Sequence, residues 1–147
     1  MRRHFAAALL GLAASCAQAQ FARAEDAVKY RQGTLFVLSQ HFTRIGAMVN
    51  GRVPYDARAA AENAEIVAVL AKLPGAGFGP GTEHGSRGAK PEIWTEQARF
   101  KEQNERFIAE ATRLAAAAKT HNLDQLKAAY AATAATCKAC HDAYRNN

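Results

Sequence analysis

Residues 122–145 read NLDQLKAAYAATAATCKACHDAYR. After Asn122, Leu123, Leu126, Tyr130, Thr133, Cys137, Cys140 and Tyr144 follow at spacings of three and four. That is the period of one helix face. The stretch therefore predicts an amphipathic helix beginning near Asn122, with a buried seam that runs through both cysteines.

Three stretches upstream carry the same period. From about Glu25 to Val49, the residues Val28, Leu35, Phe42 and Val49 fall seven apart, with Leu38 and Ile45 between them, and Gly51 and Pro54 end the run. Extending the Leu38–Ile45 series backwards places Arg31 where a core residue is expected. A buried, unpaired charge is costly, so Arg31 requires an anionic partner or an exit to solvent. The next helix is expected from Asp56 as its N-cap, with Ala59, Ile66, Leu70 and Leu73 on one face, Asn63 as the polar member of that face, and Pro74-Gly75 as its stop. Residues 74–91 read as a glycine-rich loop, long enough to be functional. A third helix begins near Glu92 or Thr95, with Phe100, Asn104, Phe107, Ala111, Leu114 and Ala118 on its seam. Alanine is frequent, β-branched residues are few, and no strand-like alternation occurs. The expected fold is one all-α domain over residues 20–147, an antiparallel up-down-up-down four-helix bundle.

The first residues do not belong to that domain. Met1-Arg2-Arg3-His4 is basic, Phe5 to Ala14 is apolar, and Ala17-Gln18-Ala19 is a small-x-small site. This predicts a signal peptide over residues 1–19, cleaved before Gln20, and its apolar run is too short to span a bilayer. Cys16 raises a lipidated alternative that Ala13-Ala14-Ser15 matches poorly, and Arg2-Arg3 reads as an ordinary basic start. Loss of residues 1–19 removes two arginines and no acid, so the formal charge falls from +6 to +4. The remaining charge is spread along the chain. It suits encounter with an acidic redox protein and gives no sign of nucleic-acid binding or membrane insertion. A periplasmic location is expected.

Cys137-Lys138-Ala139-Cys140-His141 is C-x-x-C-H, the attachment pattern for c-type haem. On a helix the two cysteines share a side, so their thioethers can reach both vinyl groups of one porphyrin. His141, four residues after Cys137, can reach the iron as its protein ligand. A thioredoxin-like motif would open a helix, not lie near the end of one. A zinc site lacks a second Cys/His pair, and a disulfide across three helical residues is strained. Export strengthens the haem reading, because c-type haem is attached outside the cytoplasm.

With the motif on the last helix, the chain resembles cytochrome c′, the class II c-type cytochromes. That family is itself a standard up-down-up-down bundle, so the resemblance and the fold expectation are not independent. The resemblance rests on Gln20-Phe21-Ala22-Arg23 with Glu25 to Gln32, on Phe78 to Glu83 with Pro91-Glu92-Ile93-Trp94, and above all on Cys137 to Arg145. It implies one haem c held through Cys137 and Cys140, with His141 as the only protein axial ligand. It places Arg31 and Gln32 near the haem and its propionates, which would give Arg31 its anion. It places Leu35 over the distal face of the iron, Arg145 on the proximal side, and the Thr82–Ser86 loop at the haem edge. Ser86 is the loop residue chosen for that contact, in a loop slightly longer than the family pattern. An apolar Leu35 offers iron no lone pair, so the resemblance implies five-coordinate, high-spin iron that exchanges one electron and binds NO or CO. No enzymatic role is implied, since Leu35 cannot act as a distal acid or base. The alternative within the family is a six-coordinate, low-spin electron carrier, which would need a sixth ligand such as Met in the Leu35 region. A homodimer through the first two helices is also implied, with Tyr30 and Phe42 as candidates for its surface. His41, Met48, His84 and His121 are not expected to ligate iron, and Trp94 is expected to pack in the core or at the haem edge.

Overall fold

A computed structural model describes residues 20–86 and 88–146. The expected signal peptide, with Cys16, lies outside the described residues. The described residues form five α-helices: α1 (Ala24–Val49), α2 (Ala57–Leu70), α3 (Glu92–Thr95), α4 (Gln97–Lys119) and α5 (Leu123–Tyr144), with a 3₁₀ turn at Pro74–Phe78. No strand occurs among the described residues. The long helices α1, α2, α4 and α5 form the antiparallel bundle, each packed on its chain neighbours, with α1 and α5 closing the ring.

The helix ends follow local chemistry. Glu25 and Asp26 lie in the first turn of α1, where negative charge suits the helix dipole. Gly51, at φ 68°, turns the chain out after Val49 in a conformation that glycine adopts freely. The Asp56 carboxylate accepts the Ala59 N–H at 2.9 Å, as a helix cap. Asn122 Oδ1 accepts from both Asp124 N and Gln125 N at 3.0 Å, which fixes the start of α5.

The dry core lies at one end of the bundle. Ile45, Val67, Leu114 and Leu126 are fully buried there, among Ala60, Ala64, Ala71, Ala111 and Ala118. Burying each larger side chain is worth about 1.5–3 kcal/mol. This core corrects the expected face of α2. Ala60, Ala64, Val67 and Ala71 point inward, whereas Ile66 is 38% exposed. The helix turns its small residues to α1 and α4, so the backbones approach closely, and the larger aliphatics remain at the margin. Met48, expected off the seam, is also buried in this core.

α2 is short, at 14 residues against 26 for α1. Beyond Leu70 the first half of α1 is therefore covered by the 3₁₀ turn instead of a helix. Gly77 allows that contact, because a Cβ there would stand 2.8 Å from both Ala27 O and Arg31 Cβ. The segment read as loop, residues 74–91, is thus partly ordered as a 3₁₀ turn, and helix resumes after it at Glu92. Its continuation breaks at Glu96 (φ −115°, ψ 40°), so the single helix expected from Glu92 or Thr95 is two, α3 and α4. The stretch 88–90 then runs antiparallel to the chain end, with Lys90 N–H donating to Tyr144 O and Asn146 N–H donating to Gly88 O.

Candidate haem site

The end of the bundle that α2 does not reach holds a cavity of about 610 Å³ between α1, α4 and α5, roofed by the 3₁₀ turn with Ser86, Gly88 and Ala89. That volume is typical of a cofactor pocket, for which about 300–1,000 Å³ is usual. Every expected site residue borders it: Arg31, Gln32, Leu35, Ser86, Cys137, Cys140, His141 and Arg145.

α5 brings the motif to one wall. Cys137 and Cys140 are half-buried free thiols, and burial pushes both pKa values up, with the neighbouring Cys140 adding to the effect at Cys137. Both are therefore neutral thiols. Burial pushes the His141 imidazole down, and Arg145 adds to that. A neutral imidazole keeps the lone pair that a metal needs. Lys138 points away and pairs with Asp142 at 2.5 Å.

α1 supplies the facing residues. Leu35 is 40% exposed, in keeping with a side chain that borders a cavity rather than sealed core. Arg31 is 1% exposed, and its partners within the protein are uncharged. Its Nη1 donates to Gly77 O at 2.6 Å, Thr82 O at 3.0 Å and Thr82 Oγ1 at 3.1 Å, and Nη2 donates to Thr82 O at 3.0 Å. Its guanidinium also lies 4.6 Å from the Phe78 ring and 5.4 Å from the Trp94 ring. Neutral carbonyls and ring faces hold the cation. Burial still lowers its pKa, with Glu83 opposing that shift. Trp94 serves this cluster, and its Nε1 donates to Gly79 O at 3.1 Å.

Sequence reasoning assigned no site role to Phe42, Phe78, Phe100 or Phe107, which also line the cavity. Phe78 meets Phe100 edge-on at 4.9 Å, and Phe100 meets Tyr144 edge-on at 5.3 Å. The signal was present as large aromatics at helical spacing in α4, where the dry end of the same helix uses alanine and leucine. His41 lies outside the cavity, with Nδ1 2.8 Å from Asn63 Oδ1. His84, His121 and Met48 do not line it either.

This lining fits a haem. Two free thiols and a neutral imidazole share one helix face, aromatic rings supply an apolar slot, and Arg31 and Arg145 bring positive charge to its border. The family model for cytochrome C′ matches residues 26–145. The chain belongs to the cytochrome c′ family. It is 49% identical over 126 residues to cytochrome c′ of Alcaligenes xylosoxydans xylosoxydans, covering 86% of this chain and 98% of that one. It is 44% identical over 128 residues to cytochrome c′ of Rubrivivax gelatinosus, at 86% and 98% coverage. Among solved structures, cytochrome c′ from Rubrivivax gelatinosus superposes with a TM-score of 0.83 at 43% identity, covering 86% of this chain and all of that one. A nitric oxide complex of a mutant cytochrome c prime from Alcaligenes xylosoxidans gives 0.82 at 47% identity, covering 87% of this chain and 99% of that one. As a cytochrome c′ the protein carries haem c, and its paired free cysteines are consistent with covalent attachment. Among the described residues, no helix is long and apolar enough to cross a membrane.

Proposed function

We propose that this cytochrome c′ holds five-coordinate, high-spin haem iron in the periplasm, exchanges one electron and binds NO or CO at the distal position. The observation that carries the reading is the composition of the cavity wall. Among its described residues, His141 is the one histidine, and there is no methionine or lysine to serve as a sixth ligand. In this reading Cys137 and Cys140 would hold the haem through two thioethers, each S–H having added across one vinyl group with no by-product. His141 would bind the iron. Leu35 would border the open coordination position without offering a lone pair, which would select small neutral diatomics. Arg31 acts on the propionates through its charge, since Gly77 and Thr82 hold its donors, and Gln32, Ser86 and Arg145 border the group. The haem supplies a redox-active iron with an open coordination position. The nitric oxide complexes of Alcaligenes xylosoxidans cytochrome c prime with a leucine exchanged for alanine, isoleucine or valine support gas binding in the family. Leu35 can act as neither acid nor base, so the reading is a carrier and gas binder rather than a peroxidase-like enzyme.

Residues 1–19 direct export in this reading and are removed there. Exposed Phe36, Val37, Ile66 and Val69 on α1 and α2 give a homodimer an apolar surface. Phe42 is withdrawn from that surface, since it stacks on Tyr130 at 4.3 Å inside the bundle.

The test is the optical spectrum of the oxidised and dithionite-reduced protein, before and after CO. The expected result is a broad high-spin ferrous Soret band that shifts with CO. Narrow, split α and β bands that ignore CO would replace this reading with the six-coordinate, low-spin electron carrier.

A further inference from the structure

Asn104 is polar on an otherwise aromatic wall. It stands between Phe100 and Phe107 on the cavity face of α4 and borders the cavity with them. Its carboxamide lies against the bare Cα of Gly75, where a Cβ would come within 3.0 Å of Asn104 Nδ2. Gly75 belongs to the 3₁₀ turn that covers α1, the helix that carries Leu35. It makes no hydrogen bond within the described protein. The group is half-buried but not sealed off, so it is reached from the cavity.

Some polar side chains on the walls are engaged, whereas Gln32, Thr43 and Ser86 also border the cavity but have no glycine opposite to fix them. Ser39 donates to Phe36 O and Thr136 to Thr133 O, both at 2.7 Å, and Arg31 is held by carbonyls. Gln103 also lines the cavity, but it is one step off the Phe100–Phe107 seam and has no small residue opposite to fix it. A carboxamide left unpaired among aromatic rings costs free energy unless something in the cavity completes it.

We propose that Asn104 is a specificity-determining hydrogen-bond donor of the gas pocket, positioned by the absence of a side chain at Gly75. This rests on the open coordination position proposed above. The amide N–H favours a diatomic onto which electron density has moved from ferrous iron. It therefore holds NO better than a purely apolar pocket would, and it polarises CO measurably. A net hydrogen bond of ordinary strength corresponds to roughly 2- to 10-fold in affinity.

The test is the infrared C–O stretch of the ferrous CO complex, with the NO dissociation rate, for the wild type, Asn104→Leu, Asn104→Gln and Gly75→Ala. The leucine variant is expected to raise the C–O stretch and to speed NO loss roughly 2- to 10-fold. Gly75→Ala, which crowds the carboxamide with the donor intact, is expected to shift the stretch as well, and Asn104→Gln to restore part of the wild-type value. A stretch and rate unchanged in both Asn104→Leu and Gly75→Ala overturns the inference while leaving the open site standing. A wild-type protein that takes up no CO overturns the open site, and this inference with it.

Discussion

The two ends of this bundle are built from the same helices by opposite rules. At the dry end, α1 from Leu38 to Val49, all of α2, α4 from Ala111 to Ala118 and Leu126 of α5 close on one another through alanines and a few aliphatics. At the other end, the remaining halves of α1, α4 and α5 are held apart by phenylalanines around a cavity, and loop replaces α2. The difference assigns tasks. Close packing of small residues supplies stability where nothing must bind. Where a large group must enter, the helices stand apart, and the 3₁₀ turn and the 88–90 strap hold them in place.

The most forceful way to break this division is to remove the attachment chemistry. Replacing both Cys137 and Cys140 with alanine is expected to abolish covalent haem, read as complete loss of haem stain on a denaturing gel. The helical circular dichroism of the dry end should persist. If helicity collapses too, the two ends are not independent. Next in size is a pair of leucines. Leu114→Ala in the dry core should cost about 2–5 kcal/mol in chemical unfolding. Leu35→Ala, 40% exposed at the cavity, should cost well under that. Its main effect should be on gas binding, read as faster and tighter uptake of NO. Equal destabilisation by both would erase the contrast.

Two glycines of α1 sharpen the comparison at smaller scale. A Cβ at Gly46 would run into the Tyr130 ring and hydroxyl, so Gly46→Ala should destabilise by about 1–3 kcal/mol. Gly33, on the same helix near the cavity end, has nothing within 4 Å of an added Cβ. Gly33→Ala should stabilise by about 0.5–1 kcal/mol through helix propensity alone. Thermal melts of the two variants should move in opposite directions.

This asymmetry also explains what was legible in the sequence. Caps and turn residues act locally, so Asp56 and Gly51 marked helix ends correctly. The C-x-x-C-H spacing fits a single helix face, so the motif could be read before any fold was known. The face of α2 was misjudged because periodicity gives weight to large apolar residues, whereas close helix packing prefers small ones. Arg31 was recognised as a buried cation, but carbonyls from residues 46 and 51 positions away cannot be read from spacing. The break at Glu96 and the pairing of Ala89 with Arg145 likewise depend on contacts between distant parts of the chain.

That pairing has a consequence for the iron ligand. The last turn of a helix near a chain end ordinarily frays, and His141 sits in the last turn of α5. Here the Lys90 ammonium donates to Asp142 O at 3.0 Å, and two backbone bonds tie residues 88 and 90 to residues 144 and 146. The strap acts as a splint. It slows the opening that would swing the imidazole away, so amide exchange at the end of α5 should follow the loosening of a loop more than fifty residues earlier in the chain.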